Sequence, residues 1–203
     1  MNHYQKRSTR IFRTIIGASL LIYIFTNAKM SYWLPFYTFH TNVFVGVWYL
    51  FSGLFPGKEQ PSFWINDATK GAITTYITIT GLVYNLVLIP VEVAYVGYIP
   101  FVSIVTHMIV PVMMVIDYLI TPTVKQPQWK QAPLWMTYPM IYLVSIQIMG
   151  ATSDFYPYPF IDPSHVNSSP QLFINYIILL IIHIGLAALY LTIARRKWRK
   201  SHR

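Results

Sequence analysis

The chain has 203 residues, 55% of them apolar and only 10% charged, where a soluble domain carries roughly a quarter charged residues. That balance excludes an ordinary water-soluble fold. The absence of cysteine excludes disulfides, thiolate metal sites and cysteine nucleophiles. The net charge of +9 is not a nucleic-acid signal, because the basic residues are spread over the ends and short connections of apolar segments, where they meet anionic lipid headgroups.

Six apolar windows follow one another, at roughly 11–27, 35–55, 70–90, 99–121, 133–150 and 172–194. Each is near the ~20 residues needed to cross about 30 Å of hydrocarbon. They use most of the chain, so residues 1–203 read as one integral membrane domain, an all-α polytopic bundle of six transmembrane helices. The first window has the basic start of a signal peptide, but Thr26-Asn27-Ala28 is a poor cleavage site and five more windows follow, so it reads as an uncleaved helix.

Charge sets the expected orientation. Lys6, Arg7, Arg10 and Arg13 precede or open the first window, Lys58 and Lys70 lie between the second and third, and Lys125 and Lys130 between the fourth and fifth. Arg195, Arg196, Lys197, Arg199, Lys200 and Arg203 follow the last. Fourteen of the fifteen Lys and Arg thus fall on one side, against Lys29 alone on the other. Positive residues in short loops stay cytoplasmic, which predicts both termini inside and a multi-pass protein of the cell membrane.

The second window opens Phe36-Tyr-Thr-Phe-His-Thr-Asn42. At 100° per residue Thr38, Thr41 and Asn42 share a face, predicted to turn into the bundle. His40 points nearly opposite and reads as structural. The third window puts Thr74, Thr78, Gly81 and Asn85 on one stripe, which close helix packing explains. In the fourth, Pro111 is expected to kink the helix and free a carbonyl. His107 lies about 10 Å along that helix from Pro100, and Thr38 about 5 Å from Pro35, so the two are expected at compatible depth. A histidine beside a threonine hydroxyl is the minimum for nucleophilic catalysis. Thr38, Asn42, Thr74, Thr78 and His107 are expected to face one polar cavity. Asn42 is a candidate oxyanion donor and Ser103 a local alternative hydroxyl. Asp117, ten residues beyond His107, is about 15 Å further along a regular helix and cannot complete a triad with it; Tyr118 is better aligned. No internal repeat is evident, and the matched helix breaks of an inverted-repeat transporter are missing. The long connection at 151–171 is rich in aromatics, which fits an interfacial belt better than a lid over the bundle mouth.

Three segments, Phe36-Tyr-Thr-Phe-His-Thr-Asn42, His107-Met-Ile-Val-Pro-Val-Met-Met-Val-Ile-Asp117 and Tyr156-Pro-Tyr-Pro-Phe160, together resemble the androgen-induced-gene family of multi-span membrane proteins, particularly its small bacterial branch. The hydropathy match covers nearly the whole chain, the motifs about a tenth of it. Animal members of that family are threonine hydrolases that cleave fatty acid esters of hydroxy fatty acids. The resemblance implies Thr38 as nucleophile, His107 as base, Asp117 at the acid position, and Tyr158 and Pro159 in the aromatic loop motif. The chain departs from the animal pattern at Thr41, where they have Asn or Asp, at Ile104, where they have a second histidine, and in the spacing of the proline from the histidine. The expected protein is an intramembrane lipid-ester hydrolase, with Thr41, Asn42, Ser103 and Asp117 as supporting residues, no cofactor or metal, and membrane lipids and an apolar acyl ester as partners. The alternative is a non-catalytic membrane protein, either a small-molecule permease or a scaffold.

Overall fold

A computed structural model of the chain describes residues 6–27, 30–55, 66–166 and 168–202. Lys29, Lys58 and Arg203, which contribute to the charge asymmetry, lie outside the described residues. The described chain is helical: α1 (Arg7–Asn27), a helical turn (Met30–Trp33), α2 (Tyr37–Leu54), α3 (Asp67–Val96), α4 (Phe101–Ile120), α5 (Gln131–Ser153), a 3₁₀ turn (Pro159–Ile161) and α6 (Ser169–Ser201). All of these helices except α2 are long and apolar enough to cross a membrane. Large apolar side chains cover the outside, among them Leu86, Ile120 and Phe101 at 75%, 71% and 68% exposure. A soluble monomer rarely displays so much contiguous apolar surface, and this is the surface of an apolar helical bundle in contact with membrane lipid.

Close packing starts from glycine. A Cβ at Gly17 would lie 2.2 Å from the Leu50 backbone, and one at Gly53 would lie 2.3 Å from the Thr14 hydroxyl. These small residues let α1 and α2 run side by side at backbone distance. Trp48, Tyr49, Ile77 and Met114, from α2, α3 and α4, fill the core behind that pair.

Several helix ends differ from the sequence expectation. Pro90 does not end α3, and the helix continues to Val96. Just before it, at Tyr84–Leu88, the turn widens, and the Ile89 N–H bonds to the Tyr84 carbonyl five residues back. The extra residue lets the helix accept a proline without breaking. Residues 91–96, expected in a connection, are therefore helical. α6 also runs past residue 194 to Ser201, so the basic segment continues the helix. Part of it turns inward: the Lys197 ammonium donates to the Tyr118 and Thr121 carbonyls, and Arg195 donates to the Pro127 carbonyl at 2.9 Å. Finally, α2 and α4 begin later than the windows that open at 35 and 99: α2 starts two residues after Pro35 and α4 one residue after Pro100. Phe36 and Pro100 are the extended residues that precede α2 and α4.

Candidate functional site

Thr38 is the second residue of α2. The first N–H groups of a helix have no partner within it, and no side chain of the local sequence caps this one. Two tyrosines from elsewhere do so. The Tyr37 N–H donates to the Tyr142 hydroxyl of α5 at 3.1 Å, and the Thr38 N–H to the Tyr158 hydroxyl at 3.4 Å. Tyr142 in turn donates to the Pro35 carbonyl at 2.8 Å. Tyr158 is buried, and Gly150 leaves the room that the neighbouring Tyr156 ring fills, since a Cβ there would lie 2.2 Å from that ring. The 151–171 connection therefore inserts into the bundle mouth at Tyr158 and Ile161 and is not only an interfacial belt. Burial pushes the Tyr158 phenol above its ordinary pKa, so it keeps its proton and stays a donor.

His107 comes to Thr38 from a second widened turn. At Val105–Ile109 the Val110 N–H bonds to the Val105 carbonyl, five residues back. The Thr106 carbonyl loses its usual partner to that shift, and the His107 carbonyl loses its own because Pro111 has no N–H. Side-chain amides replace both. Asn42 donates to the Thr106 carbonyl at 3.0 Å and Asn85 to the His107 carbonyl at 3.2 Å. Gly81 makes this possible: a Cβ there would stand 3.0 Å from Pro111 and 3.2 Å from the His107 carbonyl. The freed carbonyl expected at Pro111 is present, and its partner is Asn85.

The Thr38 hydroxyl and His107 Nε2 are 3.0 Å apart, both buried. His107 Nδ1 lies 3.1 Å from the Ser103 carbonyl. A carbonyl only accepts, so Nδ1 carries the proton, and Nε2 is left with its lone pair toward the Thr38 O–H. The Tyr84 ring stacks on the imidazole, centroids 3.9 Å apart and planes 16° from parallel. The Tyr84 hydroxyl donates to Glu92, and the Ser103 hydroxyl donates to Glu92 Oε1 at 2.8 Å. One carboxylate thus holds both the ring on which His107 stacks and the residue that fixes its tautomer.

Beside Thr38 opens a mainly apolar cavity of about 320 Å³, bounded by α2, α3, α5, α6 and the inserted loop, with Thr38, Ile79, Leu143, Tyr158, Tyr176 and His183 among its walls. The polar cavity expected for five residues is not what forms. Thr74 bonds back to the Lys70 carbonyl at 2.7 Å, and Thr78 meets the Tyr190 hydroxyl of α6 at 2.8 Å. Asn42 commits both amide protons to the Thr38 and Thr106 carbonyls, at 2.9 and 3.0 Å, and has none to offer an oxyanion. Thr41 is tied to the Thr38 carbonyl at 3.2 Å and to the Thr80 hydroxyl at 2.9 Å. The Ser103 hydroxyl is committed to Glu92, and the Ser103 carbonyl meets His107 Nδ1. His40 is structural: it bonds the Leu34 carbonyl at 2.7 Å and the Tyr138 hydroxyl at 2.9 Å. Tyr118 donates to the Tyr190 carbonyl at 2.9 Å, away from His107. Pro159 opens the 3₁₀ turn that follows Tyr158.

Asp117 lies at the far end of α4. It pairs with Lys70 at 2.7 Å and Arg13 at 3.4 Å, and Trp48 stacks beneath both cations. It is neither a partner of His107 nor a solvated helix-end charge. Among the described residues no three His, Cys, Asp or Glu side chains group in a way that could hold a metal ion.

Sequence reasoning misses four contributors: Tyr84, Glu92, Tyr142 and His183. Glu92 and His183 carry a readable signal, since an ionisable residue amid an apolar stretch marks a functional candidate. Glu92 falls in an expected connection because Pro90 looks like a helix end. Nothing local singles out Tyr84 or Tyr142 among sixteen tyrosines.

Compared with protein-family models, curated proteins and solved structures, the chain matches none of them.

Proposed function

We propose that the chain is a membrane hydrolase of apolar acyl esters, with Thr38 as nucleophile and His107 as general base. The observation that carries this reading is the 3.0 Å contact between the Thr38 hydroxyl and an Nε2 left free to accept, beside an apolar cavity. The resemblance of three segments to the androgen-induced-gene family points the same way.

In the first half-reaction Thr38 Oγ attacks the ester carbonyl while His107 Nε2 takes the hydroxyl proton. The tetrahedral intermediate collapses, the C–O bond to the leaving alcohol breaks, and the imidazolium returns the proton to that oxygen. Water then attacks the acyl-threonine with His107 again as base, releasing the acid and restoring Thr38. We assign the Tyr158 hydroxyl as oxyanion donor, because it accepts from the Thr38 N–H at 3.4 Å and lines the cavity beside Thr38. Glu92, acting through Tyr84 and Ser103, keeps His107 in the accepting tautomer.

Our reading of the topology is six spans with both termini cytoplasmic. At 1.5 Å per residue, the 18 residues of α2 cover about 27 Å, close to a hydrocarbon core. Its lower apolarity follows from the polar residues it brings to the site. The gathering of Arg13, Lys70 and Lys197 at the end of the bundle that carries both termini supports the orientation. A reporter fused after Lys130 should be cytoplasmic, and an external signal there would overturn the span count.

The enzymatic reading is tested with a fluorophosphonate probe and long-chain ester hydrolysis in detergent. Wild type should label and turn over, Thr38→Ala should do neither, Thr38→Ser should keep part of both, and His107→Ala should lose turnover. Steady hydrolysis by the Thr38→Ala protein would remove the nucleophile.

A further inference from the structure

The same cavity has a second polar point, on the face of α2 next to Thr38. The Tyr37 hydroxyl stands 3.4 Å from His183 Nε2, and both residues line the cavity and are buried. His183 Nδ1 lies 2.8 Å from the Leu179 carbonyl. As at His107, this puts the proton on Nδ1 and leaves Nε2 as an acceptor. Tyr37 is fixed by its ring, stacked on Tyr138 at 5.5 Å between centroids and edge-on to Tyr142 at 5.0 Å. The pair therefore offers one rigid acceptor and one hydroxyl that both donates and accepts. Their mutual contact at 3.4 Å is longer than the usual O–H hydrogen bond, so a hydroxyl seated beside the pair, in the cavity, can bond both atoms in exchange for one weak contact.

The other hydroxyls of the cavity wall near Thr38 are committed. Thr80 bonds the Tyr76 carbonyl at 3.2 Å and Thr41 at 2.9 Å, and Tyr142 bonds Pro35. Tyr158 belongs to the Thr38 end. Tyr37 and His183 are the polar pair next to Thr38 with capacity to spare.

We infer that Tyr37 and His183 form a subsite for a free alcohol hydroxyl of the bound lipid, donated to His183 Nε2 and accepting from the Tyr37 O–H. A carboxylate has no proton to give Nε2, and an ammonium has no lone pair for Tyr37; either would also bring an unpaired charge into an apolar cavity. Tyr37 and Thr38 are consecutive on α2, with side chains about 100° apart, so ester and hydroxyl belong to the same part of the ligand. The substrate class is a hydroxyl-bearing acyl ester of the partial acylglycerol type. This assignment rests on the hydrolase reading only for where the ester lies.

The test uses non-hydrolysable ligands, so that binding is read without turnover. Equilibrium binding of radiolabelled 1-O-decylglycerol and of its di-O-methyl ether is measured on the full chain in detergent, with decanoate as competitor. The diol should bind roughly tenfold tighter than the capped ether, the net worth of about one hydrogen bond. Tyr37→Phe, which keeps the stacked ring, should bring that ratio to about one, and so should His183→Leu. Equal binding of the two ethers by wild type, a ratio unchanged in Tyr37→Phe, or stronger displacement by decanoate than by the diol each overturns the subsite. Preference for the diol in a protein that hydrolyses no ester would fault the hydrolase reading alone. Ester hydrolysis without that preference would fault the subsite alone.

Discussion

Replacing Asp117 by Asn separates the two ends of the bundle. Asp117 is the carboxylate shared by Lys70 and Arg13, whose side chains are 2% and 1% exposed. Asparagine preserves the shape and can still bond the Thr121 hydroxyl, which contacts Asp117 at 3.0 Å. The substitution removes the charge, leaving two buried cations against the Trp48 face, backbone carbonyls and a hydroxyl. Removing one partner of a buried ion pair costs about 3–5 kcal/mol, and the surviving dipoles argue for the lower end, about 3 kcal/mol. For a chain of this size that is a fall of roughly 6–12 °C in the thermal midpoint, read by unfolding in detergent. Lys70→Met in the same protein removes one orphaned cation and should recover a substantial part of the loss. Hydrolysis per folded molecule should stay within about twofold, because a helix holds Asp117 ~15 Å from His107. An unchanged midpoint would show that the ion cluster does not hold the helix ends together. A fully folded Asp117→Asn protein as inactive as His107→Ala would show that the separation of the two ends is wrong.

Other substitutions act at the Thr38 end. Tyr158→Phe should lower kcat about 10²-fold, the usual loss of one oxyanion donor, and should also lower the thermal midpoint, because the buried Thr38 N–H loses its acceptor at a cost of about 1–3 kcal/mol; unaltered kcat per folded molecule would exclude Tyr158 from the reaction. Glu92→Gln keeps acceptor and size but removes the charge, and should lower kcat roughly tenfold with KM unmoved. A change confined to KM would move Glu92 from positioning the base to lining the substrate path. Asn42→Leu strands the buried Thr106 carbonyl and should cost about 1–3 kcal/mol of stability, read as a fall in the thermal midpoint, and a neutral result would mean that the widened turn around His107 supports itself.

The fold is legible in the sequence because bilayer physics is coarse: a run of apolar residues near the hydrocarbon thickness reads the same in almost any context. Helix ends are less so. Pro90 has the sequence appearance of a terminator, and only the widened turn at Tyr84–Leu88 shows how the helix passes it. That one misjudged end hides Glu92, because a carboxylate in a connection suggests solvent, whereas one on the last turns of α3 can reach Tyr84 and Ser103. The matched depth of Thr38 and His107 is readable, since two helices entering from one side carry their residues in by a fixed rise. Which helix faces which neighbour is not readable. The α3 stripe looks single, yet Thr78 turns to α6 while Gly81 and Asn85 turn to α4.

That division explains why the polar residues of this apolar chain are not interchangeable. A widened turn is the price of seating a proline beside the base, and each such turn leaves backbone carbonyls without helical partners. In an apolar surrounding those groups must be met by side chains. Asn42 and Asn85 meet them at His107, and the tyrosine hydroxyls of α5 and the inserted loop meet the unpaired N–H groups at the start of α2. Once these obligations are met, the groups next to Thr38 that retain hydrogen-bonding capacity are Thr38 with His107, the Tyr158 hydroxyl, and Tyr37 with His183. All but His107 line the same cavity, and His107 reaches it through Thr38. Chemistry in this chain is therefore to be sought where the backbone's own demands have already been satisfied.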